Sequence, residues 1–214
     1  QRHMLGIITH DDVMDVFMEE ATEDVQRIAA VEPLEDSYMR TPILTLTWKR
    51  GMWLGILFFA GILTALALRS YELEFEQFGW LVWFIPLVIG SGGNSGAQTS
   101  TLIIAGMATG DVKISNWARI VTREVATGAL LGFFLATLSL APALMLAPSV
   151  LAALIVPLTI FLVVLCGTFS GSILPLVSQR LGWDPAMMSN PFVAGLNDIT
   201  GIVIYVNIAK VFLR

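Results

Sequence analysis

Residues 125–177 read VATGALLGFFLATLSLAPALMLAPSVLAALIVPLTIFLVVLCGTFSGSILPLV, from Val125 to Val177, 53 positions without an Asp, Glu, Lys or Arg. As one helix at ~1.5 Å per residue this run would be ~80 Å long, far beyond a ~30 Å hydrocarbon core. It must therefore hold two crossings. Pro142, Pro148 and Ser149 place the break near 147–149, giving spans of about 121–146 and 150–178. Outward from this pair the pattern repeats. Gly51 to Leu68 is a first apolar span, Trp80 to about Met107 a second that is rich in small polar residues, and Ala186 to Phe212 the last. The expected fold is an all-α integral membrane protein with five transmembrane helices, the second of which has a broken helix as its alternative.

Charge separates this body from an acidic head. Residues 1–40 carry ten acids against three bases, whereas the remaining residues carry seven acids and nine bases. The net charge of −5 is thus −7 from the head and +2 from the body. Overall 14% of residues are charged and the mean hydropathy is +0.76, against about 25% charged residues in a soluble domain. All six tryptophans (Trp48, Trp53, Trp80, Trp83, Trp117, Trp183) fall at span ends, where an amphipathic ring prefers the headgroup level. With the N-terminus inside, Lys49, Arg50, Lys113, Arg119, Arg123 and Arg180 lie on cytoplasmic flanks, and only Arg69, Lys210 and Arg214 outside. That asymmetry predicts a cytoplasmic N-terminus. The single Cys166 excludes an internal disulfide, and the two histidines have no partner cysteines, so a zinc-type site is not expected. Nothing in the composition points to nucleic acid.

In the head no apolar signal segment opens the chain, which is expected to stay in the cytoplasm. Leu5-Gly6-Ile7-Ile8 reads as a short strand whose partner strands would belong to a missing N-terminal part. Thr9-His10-Asp11-Asp12 reads as a capping box opening an amphipathic helix, with Val13, Val16, Phe17, Val25 and Ile28 on its apolar side. The expected division is 1–31 for the regulatory remnant, 32–48 for a connector and 49–214 for the transmembrane domain.

Chemistry concentrates at Asp198, about twelve residues into the last span. A carboxylate near the bilayer midplane costs ~2.5–3.5 kcal/mol on insertion scales and persists where it faces a watery cavity, a partner or an ion. Its structural alternative is capping a discontinuous helix or bonding a neighbouring Ser or Thr. Asn190, Ala194 and Asp198 share one helical stripe; Asn197, Gly201 and Tyr205 form the adjacent one. In the second span, Gly92-Gly93-Asn94-Ser95-Gly96-Ala97-Gln98-Thr99-Ser100-Thr101 suits close approach of another backbone or of an ion with its water. Irregular backbone there would also free carbonyls as ligands. Hard oxygen ligands without sulfur or imidazole favour Mg²⁺ or Ca²⁺. A single carboxylate cannot strip Mg²⁺ of its waters, so a hydrated ion and a two-fold pair of chains are expected. Aspartyl proteolysis needs two carboxylates and only Asp198 lies deep in a span, so an enzyme is not expected. Glu19, Glu20, Glu23 and Asp24 crowd about one and a half turns of the head helix. They read either as a solvated face or as a cation sensor, with Asp184 in the turn before the last span as partner.

Gly92-Gly93-Asn94-Ser95-Gly96-Ala97-Gln98 followed by Asn190-Pro191-Phe192-Val193-Ala194-Gly195-Leu196-Asn197-Asp198, then Gly201 and Tyr205, resembles the membrane domain of the MgtE family of magnesium channels. Upstream, Gly6-Ile7-Ile8-Thr9-His10-Asp11-Asp12 is similar to the end of a CBS domain, and Glu19-Glu20-Ala21-Thr22-Glu23-Asp24 to the start of that family's connecting helix. The resemblance implies a homodimeric, Mg²⁺-selective channel, multi-pass in the bacterial plasma membrane, with its pore between subunits. It implies Asp198, Asn190, Ala194, Gly93 and Gly96 around the hydrated ion, and Asn94, Gln98, Asn197 and Gly201 lining the path. It further implies Asp184, Glu19, Glu20, Glu23 and Asp24 as a regulatory Mg²⁺ site that closes the pore. An ion-coupled secondary transporter of a divalent cation is the alternative.

Overall fold

The computed structural model describes residues 7–213, and among these there is no strand. Eight α-helices run in order: α1 (His10–Ile28), α2 (Ile43–Ser70), α3 (Glu72–Gln77), α4 (Ile85–Ala108), α5 (Trp117–Leu146), α6 (Val150–Ala153), α7 (Ile155–Arg180) and α8 (Asn190–Leu213). Short 3₁₀ turns occupy Gly79–Phe84, Ile114–Asn116 and Pro185–Met187. Of the expected strand, Leu5 and Gly6 lie outside the described residues, and Ile7 and Ile8 carry no regular structure.

The long apolar run divides as its turn chemistry dictates. Ala147 leaves α5 extended, and Ser149 accepts a bond from the Ala152 amide at 3.2 Å to open α6. Pro142 does not contribute to this break; it is accommodated inside α5. Helices also outrun the apolar stretches. α2 starts at Ile43 and α5 at Trp117, because Lys and Arg at a span end are good helix formers whose charges reach the interface. The last helix instead starts later than Ala186. The Asp184 carboxylate caps a 3₁₀ turn through the Ala186 amide at 2.9 Å, and α8 begins at Asn190 with Pro191 in its first turn.

Among the described residues, four segments are long and apolar enough to cross a membrane: Ile43–Ser70, Ile114–Leu146, Val150–Arg180 and Asn190–Leu213. At 24 residues α4 matches α8 in length, but its centre is the small polar run. The second apolar run is a 3₁₀ turn followed by an uninterrupted helix. The glycine-rich stretch therefore keeps its carbonyls in the helical ladder and does not free them as ligands.

α4 is enclosed by α7 and α8, α5 packs on the far side of α7, and α2 touches α8 while burying none of its own residues. Lipid tails supply no hydrophobic drive between helices, so close packing must hold the bundle. Three pairs of glycines at i, i+4 provide it. A Cβ on Gly167 would stand 2.5 Å from the Gly92 carbonyl oxygen, and one on Gly171 would collide with the Gly96 carbonyl. On α5, Gly128 and Gly132 admit Thr168 and Phe161 of α7 in the same way. At the α3 end of the bundle a larger apolar cluster forms from Leu81, Phe84, Val88, Ile155, Ile160, Val163 and Tyr205. There the Tyr205 hydroxyl donates to the Leu81 carbonyl at 3.0 Å, and Lys210 pairs with Glu74 at 2.6 Å.

At the opposite end, α1 opens with the expected capping box. The Thr9 amide donates to Asp12 Oδ2 at 2.8 Å, and this contact, with the Thr9 hydroxyl, holds the Asp12 carboxyl below the usual range. Its apolar stripe is open: Val13, Phe17 and Val25 are 56%, 67% and 67% exposed. α1 is tied down near its C-terminus, against the Pro185–Met187 turn. Lys49 at the start of α2 donates to the Pro33 carbonyl and so anchors the connector.

Candidate functional site

Asp198 is the ninth residue of α8, on the side that meets α4. It is half-buried and has no hydrogen bond or ion pair among the described residues. The wall it faces is Gly93: a Cβ there would lie 3.4 Å from Asp198 Oδ1 and 3.3 Å from the Ala194 Cβ. A glycine at this one position lets α4 and α8 approach closely enough to bring the carboxylate against the helix backbone. Ala194 and Asn190 continue the stripe toward the start of α8, and the Asn190 Oδ1 accepts a bond from Thr101 of α4 at 3.0 Å. Asp198, Ala194, Asn190, Gly93 and Thr101 thus run along the seam between α4 and α8.

The remaining candidates from the sequence go elsewhere. Gly96, one turn from Gly93, turns away from Asp198 into the contact with Gly167, Val193 and Asn197. Asn197 is only 2% exposed; its amide nitrogen donates to the Val193 carbonyl at 2.8 Å and its oxygen accepts from Ser170 at 2.9 Å. Gly201 faces Val163 and Val88 in the core. These three are interior packing positions of the single chain. Asn94 and Gln98 are exposed on a different face of α4, roughly 100–140° around the helix from Gly93. They line a groove of about 410 Å³ against Leu131 and Phe134 of α5.

The acidic group of α1 is only partly assembled. Arg27 binds both Glu23 and Asp184, so those two acids meet through a guanidinium. Asp24 is half-buried nearby in α1, while Glu19 and Glu20 are exposed. Among the described residues, no three His, Cys, Asp or Glu side chains cluster closely enough to hold a metal ion. An acid-centred reading of α1 omits Arg27, although its i, i+4 spacing from Glu23 is visible in the chain. It also omits Glu124 of α5, which accepts a bond from Thr99 of α4 at 3.3 Å. A carboxylate immediately before the uncharged run is the available signal.

What the seam can do chemically follows from its contents. The seam offers one carboxylate and one side-chain amide oxygen, with no sulfur and no imidazole. Such a set suits a hard cation that keeps its waters.

A family model described as MgtE, divalent cation transporter, matches residues 85–208, which takes in α4 through most of α8. A magnesium transporter MgtE of Thermus thermophilus is 37% identical over 211 residues, covering 99% of this chain and 47% of that protein. Proteins of the same description from Enterococcus faecalis and Bacillus subtilis are 32% and 31% identical, each over 99% of this chain and 46% of their own length. The chain therefore spans about half the length of the curated relatives it matches.

Proposed function

We propose, from the premise that this chain belongs to the MgtE family of divalent cation transporters, that it carries Mg²⁺ passively across a bacterial plasma membrane. Asp198 is the residue on which this reading turns. A half-buried carboxylate in the middle of an apolar helix, with no hydrogen bond or ion pair among the described residues, is what a passing cation requires. Mg²⁺ sheds water reluctantly, so Asp198 holds it through its water shell, with Ala194, Asn190 and the Gly93 backbone around that shell. The relatives' description as magnesium transporters supports Mg²⁺ as cargo.

The complete path lies between two copies of the chain. Asp198 stays half-exposed, and the exposed amides of Asn94 and Gln98 on another face of α4 need protein or water beside them at membrane depth. A two-fold pair of chains brings two Asp198 carboxylates to one hydrated ion. With α4 counted, each chain crosses five times, N-terminus inside. An inward divalent ion then gains ~4.6 kcal/mol per 100 mV, twice the single-charge value. Cytosolic Mg²⁺ closes the path through Asp184 and the acids of α1, chiefly Glu23 and Asp24, by drawing α1 onto the start of α8.

The test is Mg²⁺ uptake into proteoliposomes under an imposed voltage. Asp198→Ala is expected to abolish uptake while the protein still assembles; undiminished uptake refutes the assignment. Uptake that needs a Na⁺ or H⁺ gradient in addition to voltage would replace passive conduction with coupled transport.

A further inference from the structure

Arg27 is the only Lys or Arg of α1, where it stands against seven acids. It occupies the last turn, where a cation complements the partial negative charge of a helix C-terminus. Its guanidinium spans two carboxylates from distant parts of the chain. One nitrogen donates to Glu23, a turn back in α1, and another to Asp184 in the turn before α8. All three side chains are about one-third exposed. Asp184 is itself held in place: its other oxygen accepts from the Ala186 amide at 2.9 Å, and its carbonyl accepts from the Ser178 hydroxyl of α7 at 3.1 Å. Among the described residues, Arg27–Asp184 is the one ion pair between α1 and any other element.

The charges in this bridge do not balance. Two carboxylates share one guanidinium, and Asp24 is half-buried close by in α1. Mg²⁺ is commonly held by one or two carboxylates while it keeps several waters, so Glu23 and Asp184 suffice as donors in kind and in number. Their reachable oxygens, however, are engaged by Arg27. A doubly charged ion neutralises the pair that one guanidinium only half neutralises, so exchange is favoured once the ion is abundant. The partly exposed Arg27 side chain has water to turn to.

We propose that Arg27 is a built-in competitor for the regulatory cation: its guanidinium holds the place between Glu23 and Asp184, and so sets the Mg²⁺ concentration at which these acids close the path. This rests on the reading of Asp184 and the α1 acids as a Mg²⁺ site. An internal competitor raises the apparent dissociation constant by the inverse of the fraction of molecules in which it is absent. Ion pairs this exposed shift an equilibrium by about fivefold, which is the scale expected for the threshold. A simple clamp acts with the opposite sign: it would help Mg²⁺ seat α1, and its loss would raise the Mg²⁺ requirement.

The experiment titrates the full chain in detergent with MgCl₂ at constant ionic strength and follows proteolysis within residues 29–42, between α1 and α2. Arg27→Gln is expected to be cut faster than the parent in chelator, yet to reach half-protection at about one-fifth of the parental Mg²⁺ concentration. Arg27→Glu adds a third carboxylate; it should be the least protected in chelator and need less Mg²⁺ still. Asp184→Asn is the blank and should lose the Mg²⁺-dependent protection. A half-point for Arg27→Gln equal to or above the parent's overturns the proposal and leaves Arg27 as a clamp. So does a half-point for Arg27→Glu above that of Arg27→Gln. If the parent gains no protection from Mg²⁺, or Asp184→Asn keeps it at the parental half-point, the reading of these acids as a Mg²⁺ site falls, and the role of Arg27 with it. If parent and blank behave as that reading requires and Arg27→Gln does not move down, only the role of Arg27 falls.

Discussion

Two glycines on neighbouring helices should answer alanine in opposite ways. At Gly93 the added methyl would meet Ala194 and Asp198 at 3.3 and 3.4 Å, tight contacts relieved by a few tenths of an ångström of side-chain give. Replacing glycine by alanine inside a helix contributes about 1 kcal/mol of stability, comparable to that crowding. Gly93→Ala is therefore expected to fold and assemble with stability within about 1 kcal/mol of the parent. The methyl nonetheless presses on the Asp198 carboxylate and shifts it relative to the cation's water shell. Losing one hydrogen bond between that water and a charged partner removes about 1.5–3 kcal/mol, or roughly 10- to 100-fold in Mg²⁺ flux. At Gly171 the methyl would run into the Gly96 carbonyl, a backbone atom that cannot move without opening the α4–α7 contact. Overpacking of that kind costs about 1–3 kcal/mol or more, so Gly171→Ala should lose thermal stability in detergent before flux can be read. The assay pairs fluorescence-detected size exclusion after a heat step with Mg²⁺ flux per assembled protein. A Gly93→Ala protein with parental flux would remove Gly93 from the ion path. One that melts as Gly171→Ala does would refute the separation of the two glycine faces.

Arg27→Ala should release α1 from the Pro185–Met187 turn, leaving Asp184 without its guanidinium. Both side chains are about one-third exposed, so the loss is about 1 kcal/mol or less, read as faster proteolysis within residues 29–42 in chelator. Neutralising Glu19, Glu20, Glu23 and Asp24 together should abolish the protection from proteolysis that Mg²⁺ confers; unchanged protection would leave these acids as a solvated helix face. Tyr205→Phe strands the Leu81 carbonyl in the apolar cluster, costing about 1–3 kcal/mol, seen as a lower melting temperature with Mg²⁺:Ca²⁺ selectivity intact.

What the chain reveals on its own is set by range. The break at Ser149 is local chemistry, a hydroxyl and the proline before it, and is read directly. Asp198 was conspicuous because its cost is intrinsic to the bilayer. The facing of neighbouring residues was not legible. Gly92 and Gly93 differ by ~100° around one helix, yet one is closed by Val163 and the other opens on Asp198. Nothing in a run of ten small residues says which side α7 will take. Asn197 and Asp198 present the same difficulty: adjacent polar residues, one spent on Val193 and Ser170, the other without a partner among the described residues. Helix ends were missed where span length was taken from apolar residues alone, since Arg119 and Arg123 continue α5 as readily as leucine would.

The contact of Gly92 and Gly96 with Gly167 and Gly171 has a mechanical consequence. It is a joint between main chains, with no rotamers on either face to be frozen or to slip. Such a joint has no intermediate settings: α4 and α7 are either seated or apart. Together they form a stiff strut, and any widening of the seam at Asp198 must come from α8 swinging on that strut. The working parts of the transporter would then be a fixed wall and a single moving leaf.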